Sequence, residues 1–146
     1  MAEGPLGRNK RGSWLAGSRK SYLQYIFERT WNFLGLESQI PKAHDYLTTY
    51  IAKTPVVVTR GAKGEIGAFI NACRHKGATV ARFSQGNAEY HVCPYHGWAY
   101  DASGKNVDIK DRKAGCYAEA FDQDNHDLLP IAKVARQGHG VWQFVA

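Results

Sequence analysis

Two short strings, Cys73-Arg-His75 and Cys93-Pro-Tyr-His96, separated by the seventeen residues 76 to 92, constrain this chain more than any other feature. Each puts one thiol and one imidazole on a single short loop. A chain that uses all four donors together must fold so that two loops face one another, and thiolate with imidazole suits a transition-metal centre. Zinc is one reading of a Cys₂His₂ set. Zinc modules, however, usually pair like with like, as C-x₂₋₄-C and H-x₃₋₅-H, whereas here each loop mixes the two. A core Cys or a surface His would be the ordinary explanation for any one of these residues alone. Four at this spacing, with Gly77 after the first loop and Gly97-Trp98 after the second, point to a built site.

The sequence around the loops has a β character. Thr48 to Ile51, Val56 to Arg60, Glu65 to Asn71, Glu89 to Val92, Trp98 to Tyr100 and Asn106 to Ile109 read as strands. Gly61-Ala-Lys-Gly64 and Asp101-Ala-Ser-Gly104 read as tight turns between them. Each donor pair then falls just past a strand end, so two hairpin tips are expected to clasp the metal. His91, alternating with Tyr90 and Val92, is expected to face solvent or to be satisfied by a neighbour, and His44, His126 and His139 lack ligand spacing. Before the strands, Tyr22, Ile26, Thr30 and Phe33 recur at helical spacing with Ser21 as N-cap, which predicts a short lead helix over Ser21 to Phe33. The expected fold class is therefore all-β, antiparallel sheets with that helix, over residues 21 to 146.

Composition bears on the first twenty residues and on the compartment. Residues 1 to 20 hold Arg8, Lys10, Arg11, Arg19 and Lys20 against Glu3 alone, with four glycines, so they read as a basic disordered tail that carries most of the net charge of +6. The tail has neither the apolar stretch of a signal peptide nor an adjacent Arg pair. No apolar run approaches membrane-spanning length. Three cysteines are odd, and with Cys73 and Cys93 committed Cys116 has no partner, so no disulfide framework exists and a cytoplasmic location is expected. No stripe of aromatic residues accompanies the basic tail, so no nucleic-acid partner is expected.

The mixed pairing is the ligand pattern of a Rieske [2Fe–2S] centre, in which two Cys hold one iron and two His replace Cys on the other. Exchanging two thiolates for neutral imidazoles makes the site less negative, which raises the potential to about −150 to +300 mV. The strings CRHKGA (73 to 78) and CPYHGWAYD (93 to 101), with WNFLGLESQIP (31 to 41), TPVVVTR (54 to 60), GEIGAFINACRHKGA (64 to 78) and YAEAFD (117 to 122) in order, closely resemble the Rieske domain of the large, or alpha, subunit of aromatic-ring-hydroxylating dioxygenases. The tone is that of members acting on aromatic acids such as salicylate or anthranilate. By this resemblance Cys73 and Cys93 hold the buried iron, His75 and His96 the outer one, Trp98 packs against the cluster, and Arg74 and Tyr95 fall just outside the ligand shell. His96 becomes the expected electron exit.

The same resemblance implies a function. A ferredoxin or an NAD(P)H-dependent reductase would deliver electrons to the cluster, which would relay them to a mononuclear iron in a catalytic domain, within an assembly of other oxygenase subunits. That iron is bound in the family by two His and a carboxylate. The chain reaches Ala146 without such a domain, so a truncated alpha subunit is expected, an oxygenase component that is not catalytic alone. Arg74, Lys76 and Arg82 read either as a positive rim steering an acidic donor or as ordinary solvated surface. Two departures from the family pattern stand out: His44 precedes Asp45-Tyr46 where Gly is common, and Arg136 to Val145 replaces an aromatic–Arg–Gly–aromatic closing strand. Respiratory Rieske proteins have an extra Cys in each loop, where this chain has Ala78 and Tyr95. A free-standing Rieske ferredoxin and a zinc-stabilised binding module remain as alternatives.

Overall fold

The structure is a computed structural model and describes Phe27, residues 30 to 115 and residues 117 to 144. Its regular elements among these residues are ten strands and two short 3₁₀ turns, Glu37–Gln39 and Glu119–Gln123. The strands are β1 (Trp31–Leu36), β2 (Asp45–Ile51), β3 (Thr54–Arg60), β4 (Ile66–Ile70), β5 (Gln85–Asn87), β6 (Tyr90–Val92), β7 (Ala99–Asp101), β8 (Asn106–Asp108), β9 (Val134–Gln137) and β10 (Gly140–Phe144). They form three antiparallel sheets in the orders β1-β10-β9, β4-β3-β2-β5 and β6-β7-β8. The fold is all-β.

The sheet containing β3 lies in the middle, and its residues explain why. Val56, Val57, Val58 and Thr59 are all buried, as a strand covered on both faces must be. Side chains alternate across a strand, so Val56 and Val58 join one core with Leu34, Leu47, Ala68 and Val141, while Val57 joins a second with Tyr46, Phe69, Trp98 and Tyr100. The first core is closed by the β1-β10-β9 sheet. The second contains Cys73 and Cys93 and is closed by the β6-β7-β8 sheet, which Thr59 ties down by donating its hydroxyl to the Ala102 carbonyl at 2.6 Å.

Both tight turns form as the sequence predicts: Gly64 N–H bonds to the Gly61 carbonyl and Gly104 N–H to the Asp101 carbonyl, each at 3.0 Å. Gly104 has φ 77, the left-handed conformation that favours glycine, and is pressed against the Phe69 ring. The helical reading of Ser21 to Phe33 is corrected at its end. Residues 31 to 33 are extended, because Phe33 sits opposite Trp142 with ring centroids 5.2 Å apart edge-on, and this cross-strand pair prevails over a local periodicity. The rest of that segment, apart from Phe27 and Thr30, and the basic tail lie outside the described residues. The segment after Arg136 folds as a hairpin, β9 to β10, with Gly138 at φ 61 as the first residue of a two-residue turn, and β10 pairs with β1.

Candidate metal centre

Only one of the two donor loops is a hairpin tip. Cys93 to Trp98 closes the β6–β7 hairpin beyond the pair Val92↔Ala99. Residues 71 to 84, by contrast, run from β4 at one edge of the central sheet to β5 at the other, since β5 pairs with β2 and not with β4. Despite these different settings the two turns share one hydrogen-bond pattern. Cys73 N–H bonds to the Ala78 carbonyl and Gly77 N–H to the Cys73 carbonyl, both at 2.8 Å; Cys93 N–H bonds to Trp98 at 2.8 Å and Gly97 N–H to Cys93 at 3.0 Å. Gly77 (φ 75) and Gly97 (φ 69) take the left-handed step that closes each turn, which accounts for a glycine four residues after each Cys. His75 stands two residues after its Cys and His96 three, so the imidazoles rise from unequal steps of equal turns.

The result is two like pairs built from two mixed loops. Cys73 and Cys93 are buried at 3% and 2% exposure, side by side beneath the loops, and neither is in a disulfide. Above them the His75 and His96 rings meet with centroids 4.5 Å apart at 83°. His96 is exposed and His75 partly covered. Trp98 is buried and stacks on His75, centroids 5.0 Å apart and planes within 12°, which fixes that ring; Phe121 and His126 pack edge-on behind the indole. Arg74 and Tyr95 are exposed on the rim, Tyr95 at 74%. A cavity of ≈ 660 Å³ opens between the loops, lined by all four donors with Lys76, Arg82 and Tyr95 among others.

The electrostatics suit metal binding. His75 Nδ1 is buried without a hydrogen-bond partner, a lone pair aimed at no protein donor. Burial, then the neighbouring His96 and Lys76, hold the His75 pKa below its ordinary value, which favours the neutral ring that a metal requires. Burial pushes the Cys73 thiol up against the opposing effect of the Tyr100 hydrogen bond, so a metal must displace its proton. A tetrahedral zinc needs four donors at one point; a two-iron cluster needs two pairs, and two pairs are what these loops present.

Sequence reasoning missed Tyr100. Its hydroxyl lies 3.2 Å from Cys73 Sγ and accepts the Arg74 N–H at 3.0 Å, so it is placed to donate its own proton to the sulfur once the thiol proton is lost. Burial keeps that phenol protonated far above its ordinary range. His91 is also corrected: it is buried at 5% exposure with its ring edge-on to Tyr46, while Tyr90 and Val92 face solvent. Strand alternation required this, because Cys93 must point inward and residue 91 shares its face.

Such a pair of loops on such a sandwich defines a Rieske iron–sulfur protein, and comparison with known proteins agrees: the Rieske [2Fe-2S] domain family matches residues 30–128, and the chain belongs to it. Its cofactor is a Rieske-type [2Fe–2S] cluster, which the donor pairs and the unpartnered His75 Nδ1 fit. Within the family, the relatives it is similar to include alpha subunits of aromatic-ring dioxygenases. Toluate 1,2-dioxygenase subunit alpha of Pseudomonas putida is 46% identical over 114 residues, 77% of this chain and 25% of that protein. The anthranilate 1,2-dioxygenase large subunit of Acinetobacter baylyi is 40% identical, over 73% of this chain and 22% of that one. A structure of naphthalene 1,2-dioxygenase with indole bound superposes with TM-score 0.81 at 33% identity, covering 87% of this chain and 28% of the other. The chain thus spans about a quarter of the length of the curated relatives it matches. No helix among the described residues is long and apolar enough to cross a membrane.

Proposed function

We propose that Cys73, His75, Cys93 and His96 bind the [2Fe–2S] cluster, the two Cys on one iron and the two His on the other, and that the chain is the electron-transfer domain of a ring-hydroxylating dioxygenase alpha subunit. The observation that carries this reading is the sorting of two mixed loops into a buried thiol pair and an outer imidazole pair. When bound, the cluster supplies one-electron redox chemistry. The protein residues do the rest. Trp98 and the Gly77 and Gly97 turns hold the donors in place, Tyr100 hydrogen-bonds one sulfur, and His96 is the exposed edge through which an electron leaves.

The donor in this reading is a ferredoxin or an NAD(P)H-dependent reductase, and the acceptor is a mononuclear iron of the oxygenase assembly. Lys76 and Arg82 are exposed and line the cavity, Arg74 is exposed between Cys73 and His75, and no ion pair of the described residues engages them, which suits a donor with an acidic surface. The location in this reading is the cytoplasm, where the thiols stay reduced until metal arrives. Loading the chain with iron and sulfide and adding a reductase of this class with NADH tests the role. Bleaching of the visible absorption by one electron per chain is expected; a chain that takes up iron and sulfide yet is not reduced contradicts it.

A further inference from the structure

The two donor loops are closed in different ways, and the difference singles out a residue that neither motif contains. The β6–β7 ladder closes the second loop at Val92↔Ala99. The first has no ladder, because residues 71 to 84 cross the end of the sheet between strands that do not pair. We propose that Asn71 is the positioning residue of this loop, clasping its two ends so that Cys73 and His75 are held at the distance the cluster requires. The inference rests on the Rieske reading above.

Asn71 stands one residue past β4 and two before Cys73, and only 3% of it is exposed. Its own N–H is fixed on the Pro55 carbonyl at 2.9 Å, which anchors its backbone to the start of β3. From there Oδ1 accepts the Val80 N–H at 3.1 Å and the Ala81 N–H at 2.9 Å, while Nδ2 donates to the Ala81 carbonyl at 2.8 Å. One side chain therefore ties residue 71 to residues 80 and 81, and both donors of the first loop lie within the ring it closes. The task needs an acceptor and a donor on one short planar group, which is the inventory of an amide and not of a carboxylate or an aliphatic chain. Without it three buried backbone groups lose their partner, and the loop's closure falls to the inner bond from the Cys73 N–H to the Ala78 carbonyl, which leaves residues 79 to 81 untied. Ligand constellations have to be held to within about 0.5 Å, so loosening this ring should alter the cluster itself and not only the stability of the fold.

The test compares Asn71→Ala and Asn71→Asp with Thr59→Val, which also removes a buried hydrogen bond, the one from β3 to the Ala102 carbonyl just past β7, but touches neither loop. Asn71→Asp keeps the acceptor for Val80 and Ala81, so it provides a folded variant if Asn71→Ala is too unstable to isolate. Each is loaded with iron and sulfide, and iron content, the g-values of the reduced cluster, the reduction potential and the melting temperature are recorded. Amide exchange at Val80 and Ala81 is followed by mass spectrometry in the loaded chain. Both Asn71 variants are expected to shift the g-values and the potential and to lower cluster occupancy, Asn71→Ala with faster exchange at both amides. Thr59→Val should lower the melting temperature and leave the spectrum in place. Asn71 variants that lose stability while their remaining cluster keeps the parental g-values and potential overturn the proposal, as does unchanged exchange at both amides in Asn71→Ala. A parent chain that forms no [2Fe–2S] spectrum overturns the Rieske reading itself, and is told apart because it fails before any substitution is made.

Discussion

Replacing Tyr100 by Phe removes one oxygen from a fully buried side chain and with it the hydrogen bond to Cys73 Sγ at 3.2 Å. The Arg74 N–H, which bonds to the same oxygen at 3.0 Å, loses its partner as well. A hydrogen bond to a charged acceptor contributes about 1.5–3 kcal/mol. Reduction adds negative charge near the sulfur, so the bond strengthens in the reduced state by a fraction of that, on the order of 1 kcal/mol. Tenfold in an equilibrium constant is about 1.4 kcal/mol and, for one electron, about 59 mV, so the change amounts to about 40 mV. Since the donor favours the more negative state, Tyr100→Phe should lower the reduction potential by about 40 mV. Protein-film voltammetry of the loaded parent and variant at one pH reads the difference, with the cluster spectrum as a check that the site is intact. An unchanged or raised potential with an intact spectrum would refute the argument that the hydroxyl proton points at the sulfur.

Three other outcomes are expected. The hydrogen bond from Arg60, which also bonds to Ile40 and Gly64 carbonyls, holds the Glu37 carboxyl below its ordinary 4.5, so its contribution to stability is full above that value and is lost as pH falls through the lowered folded value; melting of Glu37→Gln should be less acid-sensitive than the parent over that window. Cys116→Ser should leave the cluster spectrum and potential as they are, because two thiols complete the ligand set, and a shifted spectrum would mean that the sulfurs are wrongly assigned. This chain, given reductase, NADH, ferrous iron and aromatic acids, should be reduced without forming hydroxylated product, and turnover by the chain alone would contradict its role as an electron relay.

The donor loops, the turns at Gly61–Gly64 and Asp101–Gly104 and the strands that bury valine were legible because their signals are local: ligand spacing, glycine, and apolar runs. What escaped depends on partners distant in sequence. Phe33 continued a helical spacing begun by Tyr22, Ile26 and Thr30, and its cross-strand partner Trp142, more than a hundred residues away, puts it in a strand. β5, Gln85-Gly-Asn87, is exposed throughout and has no apolar pattern to read; it is a strand because β2 offers it an edge. The hairpin of β9 and β10 completes the sheet that β1 enters. In the site, Tyr100 lies in a string that marks it as a strand residue, and its contact with Cys73 spans 27 positions, so no spacing rule reports it. Asn71 likewise looks like the end of a strand until the return of the loop at Val80 and Ala81 gives its amide three partners.

The central claim is that these four residues hold two unlike irons, and Mössbauer spectroscopy of the chain loaded with ⁵⁷Fe and sulfide tests it most directly. After one-electron reduction the spectrum should resolve one ferric site with sulfur ligands only and one ferrous site with nitrogen ligation, and His96→Ala should abolish the second. Two equivalent irons, a single mononuclear iron, or a His96→Ala protein with both parental sites intact would contradict the account.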